Sequence, residues 1–375
     1  MTFARFMELA LYHPDYGYYT RPAAEQGASR IGWSGDFYTS SDVHRALGWT
    51  LAKQAAQLDA VLERPETFTL LEMGPGKGSL ARDILDTCER EHPDLLSRLR
   101  YVMIDRSPDH RAIQRETLAA WLDRQDVVTW VDSLESLSPE SVVGLFLSNE
   151  LVDAFPVHRV TMQDGILRER CVSIADGHLV EADAPLSTQV LADYFQRLGV
   201  TLSEGAVAEV NLQALDWMAM VASRLHQGLV ITIDYGHRAP DLYNAERRGG
   251  TLRGYLRHSV SDNLIASVGE QDLTSHVDFT SLARVGTEAG LTVAGFTNQM
   301  SLMISLDIER YCAALPEEAP DMLAIAHLLR PHGMGTTFKV LYQQKGLPAV
   351  DWEGLRYRPF LDASLEVPST RSKSD

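Results

Sequence analysis

The chain has 375 residues, 45% of them hydrophobic, enough for one large core or two smaller ones. Against 34 basic side chains stand 51 acidic ones, a net charge of -17 that repels phosphate backbones and anionic headgroups and so argues against nucleic acid and membrane partners. The three cysteines, Cys88, Cys171 and Cys312, are odd in number and far apart, which excludes a disulfide framework or a zinc site and leaves no metal expected.

No run approaches the roughly 18 apolar residues of a membrane span, and the opening MTFARFMELALYHPDYGYY lacks the regions of a signal peptide. A reducing compartment is expected: the cytoplasm by default, or the mitochondrial matrix if a presequence has been removed. Residues Pro368 to Asp375 offer nothing to bury and are expected to be disordered.

Ser40, Ser41 and Asp42 offer N-caps for an amphipathic helix running to about Leu62. From Phe68 strands and helices alternate: FTLLEM, a helix from Ser79 to about Glu91, RYVMID, a helix from Pro108 to about Arg124, then VVTWV. That rhythm predicts a parallel, doubly wound sheet. VVGLFLSN ends at Asn149 as a fourth strand, and GLVITID ends at Asp234 as a fifth after a helix over Asn211 to Gln227.

Between them, Asp164-Gly165 and Asp176-Gly177 are hairpin dipeptides that predict a β-meander over about Val157 to Glu181, inserted at the carboxyl edge of the sheet. The Gly- and Arg-rich stretch from Asp234 to His258 is long and polar, and reads as a lid or substrate loop. A helix from about Phe279 to Ala289 and strands near Leu291 to Gln299 and Thr336 to Gln343 complete the sheet. The division expected is an N-terminal cap and helix (1–64), a sheet domain (65–154 and 206–345), an inserted substrate-side subdomain (155–205) and a tail (346–375).

The sharpest local feature is LLEMGPGKGSL, with Glu72 two residues ahead of Gly74, then Gly76 and Gly78 at the start of a helix. Glycines bring backbone N–H groups close to a ligand, and the helix N-terminus favours an anion there. The alternating glycines differ from the G-x-G-x-x-G spacing that seats a pyrophosphate. Glu72 would repel a pyrophosphate but suits S-adenosylmethionine, whose sulfonium and α-ammonium stand beside a carboxylate. A nucleotide or flavin site and a plain strand-to-helix turn are the alternatives.

Asp105, followed by Arg106 at the end of the second strand, stands where this architecture places an acid for the ribose hydroxyls. Asp132 and Ser133 end the third strand beside the expected adenine position, with helix capping as the alternative. Asn149 closes the fourth strand at the cofactor, and Glu150 and Asp153 follow where a methyl acceptor must arrive. Buried carboxylates need a cation, so this pair suits a guanidinium, the alternative being two acids at a helix N-terminus. His276 is a further catalytic candidate, with a capped loop around Asp278 as its alternative.

In order along the chain, FMELALYHPDYGYY, GDFYTSSDV, LLEMGPGKGSLARDIL, SNELVDAFPVHRV, LVITIDYGH and DLTSHVDFTSL resemble the MidA-type methyltransferases from about Phe6 to Tyr342. That family includes the mitochondrial protein-arginine methyltransferase that assists assembly of respiratory complex I. The resemblance implies a Rossmann-like class I methyltransferase fold with helices on both faces, an N-terminal helical extension and an inserted substrate region. It implies that Gly35, Asp36 and Phe37 close over the cofactor, and that a protein arginine is the acceptor. A small-molecule O- or N-methyltransferase and a non-catalytic cofactor-binding assembly factor remain the alternatives, and a homodimer is possible. The chain departs from the family where Ser40, Ser41 and Asp42 replace Ala-Pro-Glu and where Leu47-Gly48 replaces Phe-Gly. Both departures lie near the expected substrate mouth and bear on the acceptor rather than on the cofactor.

Overall fold

In the computed structural model, which describes residues 1–21, 40–124, 126–256, 259–315, 320–357 and Leu365, successive side chains of each central strand point to opposite faces of one sheet. Leu70 and Leu71 illustrate the split. Leu70 joins Leu51, Ile84, Leu145, Ile231 and Trp352 in one apolar layer, whereas Leu71 joins Phe146, Trp217, Val230, Phe279 and Leu282 in the other. Strands apolar on both faces require helices on both sides. The Ala46–Val61 and Ser79–Glu91 helices cover the first face, and Leu212–Arg224 and Phe279–Glu288 cover the second.

The strands are β1 (Phe68–Met73), β2 (Leu99–Ile104), β3 (Val128–Val131), β4 (Val142–Asn149), β5 (His158–Gln163), β6 (Ile166–Ala175), β7 (His178–Ala184), β8 (Val207–Val210), β9 (Leu225–His237), β10 (Arg253–Leu256), β11 (Ser259–Ser261), β12 (Asp272–Thr274), β13 (Val277–Asp278), β14 (Thr292–Asn298) and β15 (Phe338–Lys345). The main sheet runs β14-β15-β9-β4-β1-β2-β3, with β13 paired to the end of β9. From β9 to β3 every pairing is parallel, while β15 is antiparallel to both β9 and β14. Strand order reverses between β1 and β4, and a crevice opens at that switch point beyond their carboxyl ends.

The expected meander is present as β5 to β7, but its sheet is closed by β8 in the order β7-β6-β5-β8, so the insertion extends past residue 205. A second small sheet, β11-β10-β12, was not anticipated. The stretch after Asp234 is not one long loop: β9 continues to His237, Ala239–Leu242 forms one helical turn, and β10 follows. Thr251 in that stretch donates its N–H (2.8 Å) and its hydroxyl (3.1 Å) to the buried carboxylate of Glu209.

The described residues of the N-terminal cap and helix pack in two places. The Phe3–Tyr12 helix, capped by Thr2 accepting from the Arg5 N–H, buries Phe3, Met7 and Leu11 against Val157, Val172 and Leu273 on the substrate side. The helix expected from the Ser40–Asp42 caps to about Leu62 breaks at His44 and Arg45 into Ser40–Val43 and Ala46–Val61, and the Ser40 N–H, which has no partner within its helix, goes to Glu150 (2.8 Å). The segment after 345 does not simply trail away. Trp352 is fully buried in the first core layer and donates its indole N–H to Gln344. Gly35, Asp36, Phe37 and the polar end from Pro368 lie outside the described residues.

Candidate active site

At the switch point lies a cavity open to solvent, whose walls include Glu72, Gly74, Gly76, Asp105, Arg106, Asn149, Glu150 and Asp153. Gly76 has a φ of +52°, and a Cβ there would meet nothing within 4 Å, so a side chain at this position would be strained and would project into open space. Gly78 serves differently. It caps the Ser79–Glu91 helix in the left-handed conformation, packed against Gln114 rather than facing the cavity.

Beneath this loop the Glu72 carboxylate is buried and accepts the Tyr101 hydroxyl at 2.6 Å. Burial pushes Glu72 up to about 7 against the pull of that hydrogen bond, with the Asp105 charge adding to the rise. Asp105 Oδ1 accepts the Ser107 N–H (2.8 Å), and Oδ2 accepts Gln114 Nε2 (2.8 Å) with His110 Nδ1 at 3.5 Å. Gln114 is fully buried and also donates to the Gly76 carbonyl (2.8 Å), while its own oxygen accepts the Trp130 indole N–H (2.9 Å). One amide thus ties the glycine loop, the β2 acid and β3 together. The sequence reading missed it, since a polar residue within an amphipathic helix carries no local mark of burial.

The opposite wall is acidic. Glu150, at the end of β4, takes the left-handed conformation (φ +52°), unusual for a residue with a Cβ and a strain of about 1–3 kcal/mol. Its Oε1 accepts the Ser40 N–H (2.8 Å) and the Asn149 amide (3.2 Å). Burial pushes its carboxyl up to about 8, with Asp153 and Asp42 adding repulsion. Asp153 is buried and pushed up to about 6 by that burial, and its Oδ1 has no partner. Asp234 lies fully buried behind them. Its Oδ2 accepts the Val152 (2.9 Å) and Asp153 (3.3 Å) N–H groups, and burial beside two acids raises it strongly.

The alternative of two acids serving a helix dipole falls away, because only a three-residue 3₁₀ turn, Val152–Ala154, follows. None of these three carboxyls is ion-paired to a described basic side chain, although Lys77 and Arg106 line the same cavity. They form a cluster that lacks a cation.

Three expected site residues lie elsewhere. Asp132 is 90% exposed, held by Arg111 (3.1 Å), and neither it nor Ser133 lines the cavity, although β3 ends level with β2. His276 also stands outside the lining, against Tyr235 and His237 with ring centroids 5.8 and 5.2 Å away. Burial, then the charges of Arg247, Arg253 and Lys339, push it down to about 4, so it is a neutral packing group. Tyr12, Tyr19, Tyr235 and Asp272 do line the cavity and were not singled out.

The sheet order, the switch-point cavity and the acid-glycine loop define an S-adenosylmethionine-dependent methyltransferase of the class I type. The chain is similar to a Burkholderia thailandensis protein crystallised with S-adenosylhomocysteine bound, at 30% identity and a TM-score of 0.85, covering 94% of this chain and 90% of that one. It is also similar to the mitochondrial protein arginine methyltransferase NDUFAF7 of Danio rerio (26% identical; 90% of this chain, 81% of that protein) and to its Drosophila melanogaster homolog (25% identical; 92% and 82%). The chain belongs to the MidA-type family, whose model, described as "Putative S-adenosyl-L-methionine-dependent methyltransferase", matches residues 50–297.

Proposed function

We propose that this methyltransferase transfers its methyl group to an arginine guanidinium of a protein or peptide, with Glu150 and Asp153 orienting the acceptor. The observation that carries this reading is the buried, unpartnered Oδ1 of Asp153 beside Glu150 in the cavity wall, with the Asp234 carboxyl buried behind them. Such a wall is stable with a cation in it and costly without one. The relatives named as arginine methyltransferases agree with it.

S-adenosylmethionine supplies a methyl group on a sulfonium, open to in-line displacement. The residues of the glycine loop fit that molecule: space above Gly76, Glu72 for its cationic methionine end, and Asp105 for its ribose hydroxyls. Glu72, near neutrality when the cavity is empty, regains full charge when a cation comes beside it. Arg106, exposed at the cavity rim, faces the same ligand, whereas Asp132 and Ser133 are left out of this assignment.

A guanidinium, with a pKa above about 12, is not deprotonated beforehand. Glu150 and Asp153 accept its N–H groups, fix its plane, and take the proton released as the nitrogen lone pair is committed. Most of the rate gain then comes from orientation. Three cysteines without partners accord with a reducing compartment, the cytoplasm or the mitochondrial matrix.

The test is Glu150→Gln assayed on arginine-rich protein substrates. Turnover should fall by a factor of at least about a hundred, as for loss of a charge-assisted contact, while S-adenosylhomocysteine affinity stays within twofold. Equal loss of both would refute the assignment.

A further inference from the structure

Beyond the two acids, the acceptor end of the cavity has a consistent polarity in its hydrogen bonds. A tyrosine hydroxyl has one hydrogen to give, and two tyrosines here have given it to the protein. Tyr12 donates to the Ala154 carbonyl (2.9 Å) and Tyr19 to Asp272 Oδ1 (2.7 Å). What these hydroxyls offer a ligand is lone pairs.

The Asn149 amide follows the same rule. Its N–H₂ faces Glu150, and with Glu150 ionised beside a cation the reverse orientation would set two acceptor oxygens against each other. Its Oδ1 is left buried and unpartnered, like Asp153 Oδ1. Asn149 is 7% exposed and Asp153 4% exposed, and both line the cavity. The unsatisfied atoms at this end are therefore acceptors.

The surrounding wall is aromatic. Tyr12 and Tyr19 are stacked, with ring centroids 5.5 Å apart and planes 23° from parallel. Their placement depends on a hook in the chain after the first helix: the Tyr18 N–H returns to the Ala10 carbonyl and the Tyr19 N–H to the Leu11 carbonyl. Gly17 permits it, since a Cβ there would lie 2.4 Å from the His13 nitrogen. The hook sets Tyr19 on Asp272 of β12, 253 residues away.

We propose that Tyr12, Tyr19, Asn149 and Asp272, together with the two acids, form a cage of acceptors and ring faces that selects a planar cation with many N–H donors and rejects neutral acceptors. This inference rests on the guanidinium reading and names the residues that impose it. A guanidinium carries five donors and no acceptor, and its face stacks on aromatic rings. A hydroxyl, carboxylate or neutral amide brings acceptor atoms that the lone pairs of these residues would repel.

The experiment uses the full chain saturated with S-adenosylhomocysteine, titrated with n-butylguanidinium and with its neutral isostere n-butylurea, followed by ligand-observed NMR. Wild type should prefer the cation at least tenfold. Asp272→Asn, which puts an N–H₂ donor into the wall, should reduce that preference at least fivefold, and Tyr12→Leu, which removes a ring face, should weaken the cation at least fivefold. Thermal melting and S-adenosylhomocysteine affinity report whether each variant is folded, and the wild-type preference needs no variant at all. If Asp153→Asn removes the preference while Asp272→Asn and Tyr12→Leu both keep it, the acids act alone and the cage is wrong. If wild type takes butylurea as well as butylguanidinium, the cage and the guanidinium reading fall together.

Discussion

Replacing Glu150 by Gln should stabilise the cofactor-free protein, and more so as pH rises. The Glu150 carboxyl goes from an ordinary value of 4.5 in the unfolded chain to about 8 in the folded one. Between those values the folded state holds a proton that the unfolded state has lost, so stability falls as pH rises and levels off above about 8. From pH 5.5 to 8 the folded carboxyl forfeits about 2.5 units at roughly 1.4 kcal/mol each, about 3.5 kcal/mol in all. Water reaching the cavity side of Glu150 reduces this to about 2 kcal/mol.

Gln cannot titrate, yet it keeps the +52° backbone and an oxygen for the Ser40 N–H, so those contributions cancel in the comparison. Urea unfolding of both proteins at pH 5.5 and 8.5, without cofactor, measures the difference. The variant's advantage should grow by about 2 kcal/mol across that range. A gap that does not change with pH would refute the claim that Glu150 is held uncompensated in the cavity.

Gly76→Val should abolish measurable binding of S-adenosylmethionine and S-adenosylhomocysteine in calorimetry, because the φ of +52° and the open space above the Cα both suit glycine alone; wild-type affinity in that variant would remove the loop from the cofactor site. Gln114→Ala leaves the Gly76 carbonyl, Asp105 and the Trp130 indole each short of a partner. At about 1–3 kcal/mol for a buried group left unpaired, S-adenosylhomocysteine should bind roughly ten- to a hundredfold more weakly, with a shift in tryptophan fluorescence; unchanged affinity would reduce Gln114 to packing.

The cofactor half of the molecule was legible because its signals are local. An apolar strand, Glu72, three glycines and a helix start lie within eleven residues, and Asp105 falls one β-α unit later. Asp132 has the same strand-end context as Asp105 and lies level with it, yet it is exposed and held by Arg111 rather than turned into the cavity.

The acceptor wall was legible only at Glu150 and Asp153, where buried acids without a cation are a chemical anomaly in themselves. Tyr12, Tyr19 and Asp272 meet across 253 residues through a backbone hook and a small sheet that no periodicity announces. Asp234 looked like a strand terminus, and its work of holding the Val152 and Asp153 amides is visible only in three dimensions.

The placement of β15 has a consequence for the order in which this protein takes shape. β14 is made before β15, yet among the described residues it is hydrogen-bonded in the sheet only to β15, which intervenes between it and β9. The parallel set β3-β2-β1-β4 can gather from neighbouring β-α units, whose short chain separations favour fast closure. Residues 292–298 must wait for 338–345. A growing chain therefore carries the exposed edge of β9, rich in Val230, Ile231 and Ile233, through the synthesis of about a hundred further residues. That interval, rather than the finished molecule, is where this sequence is most open to aggregation and most in need of a chaperone.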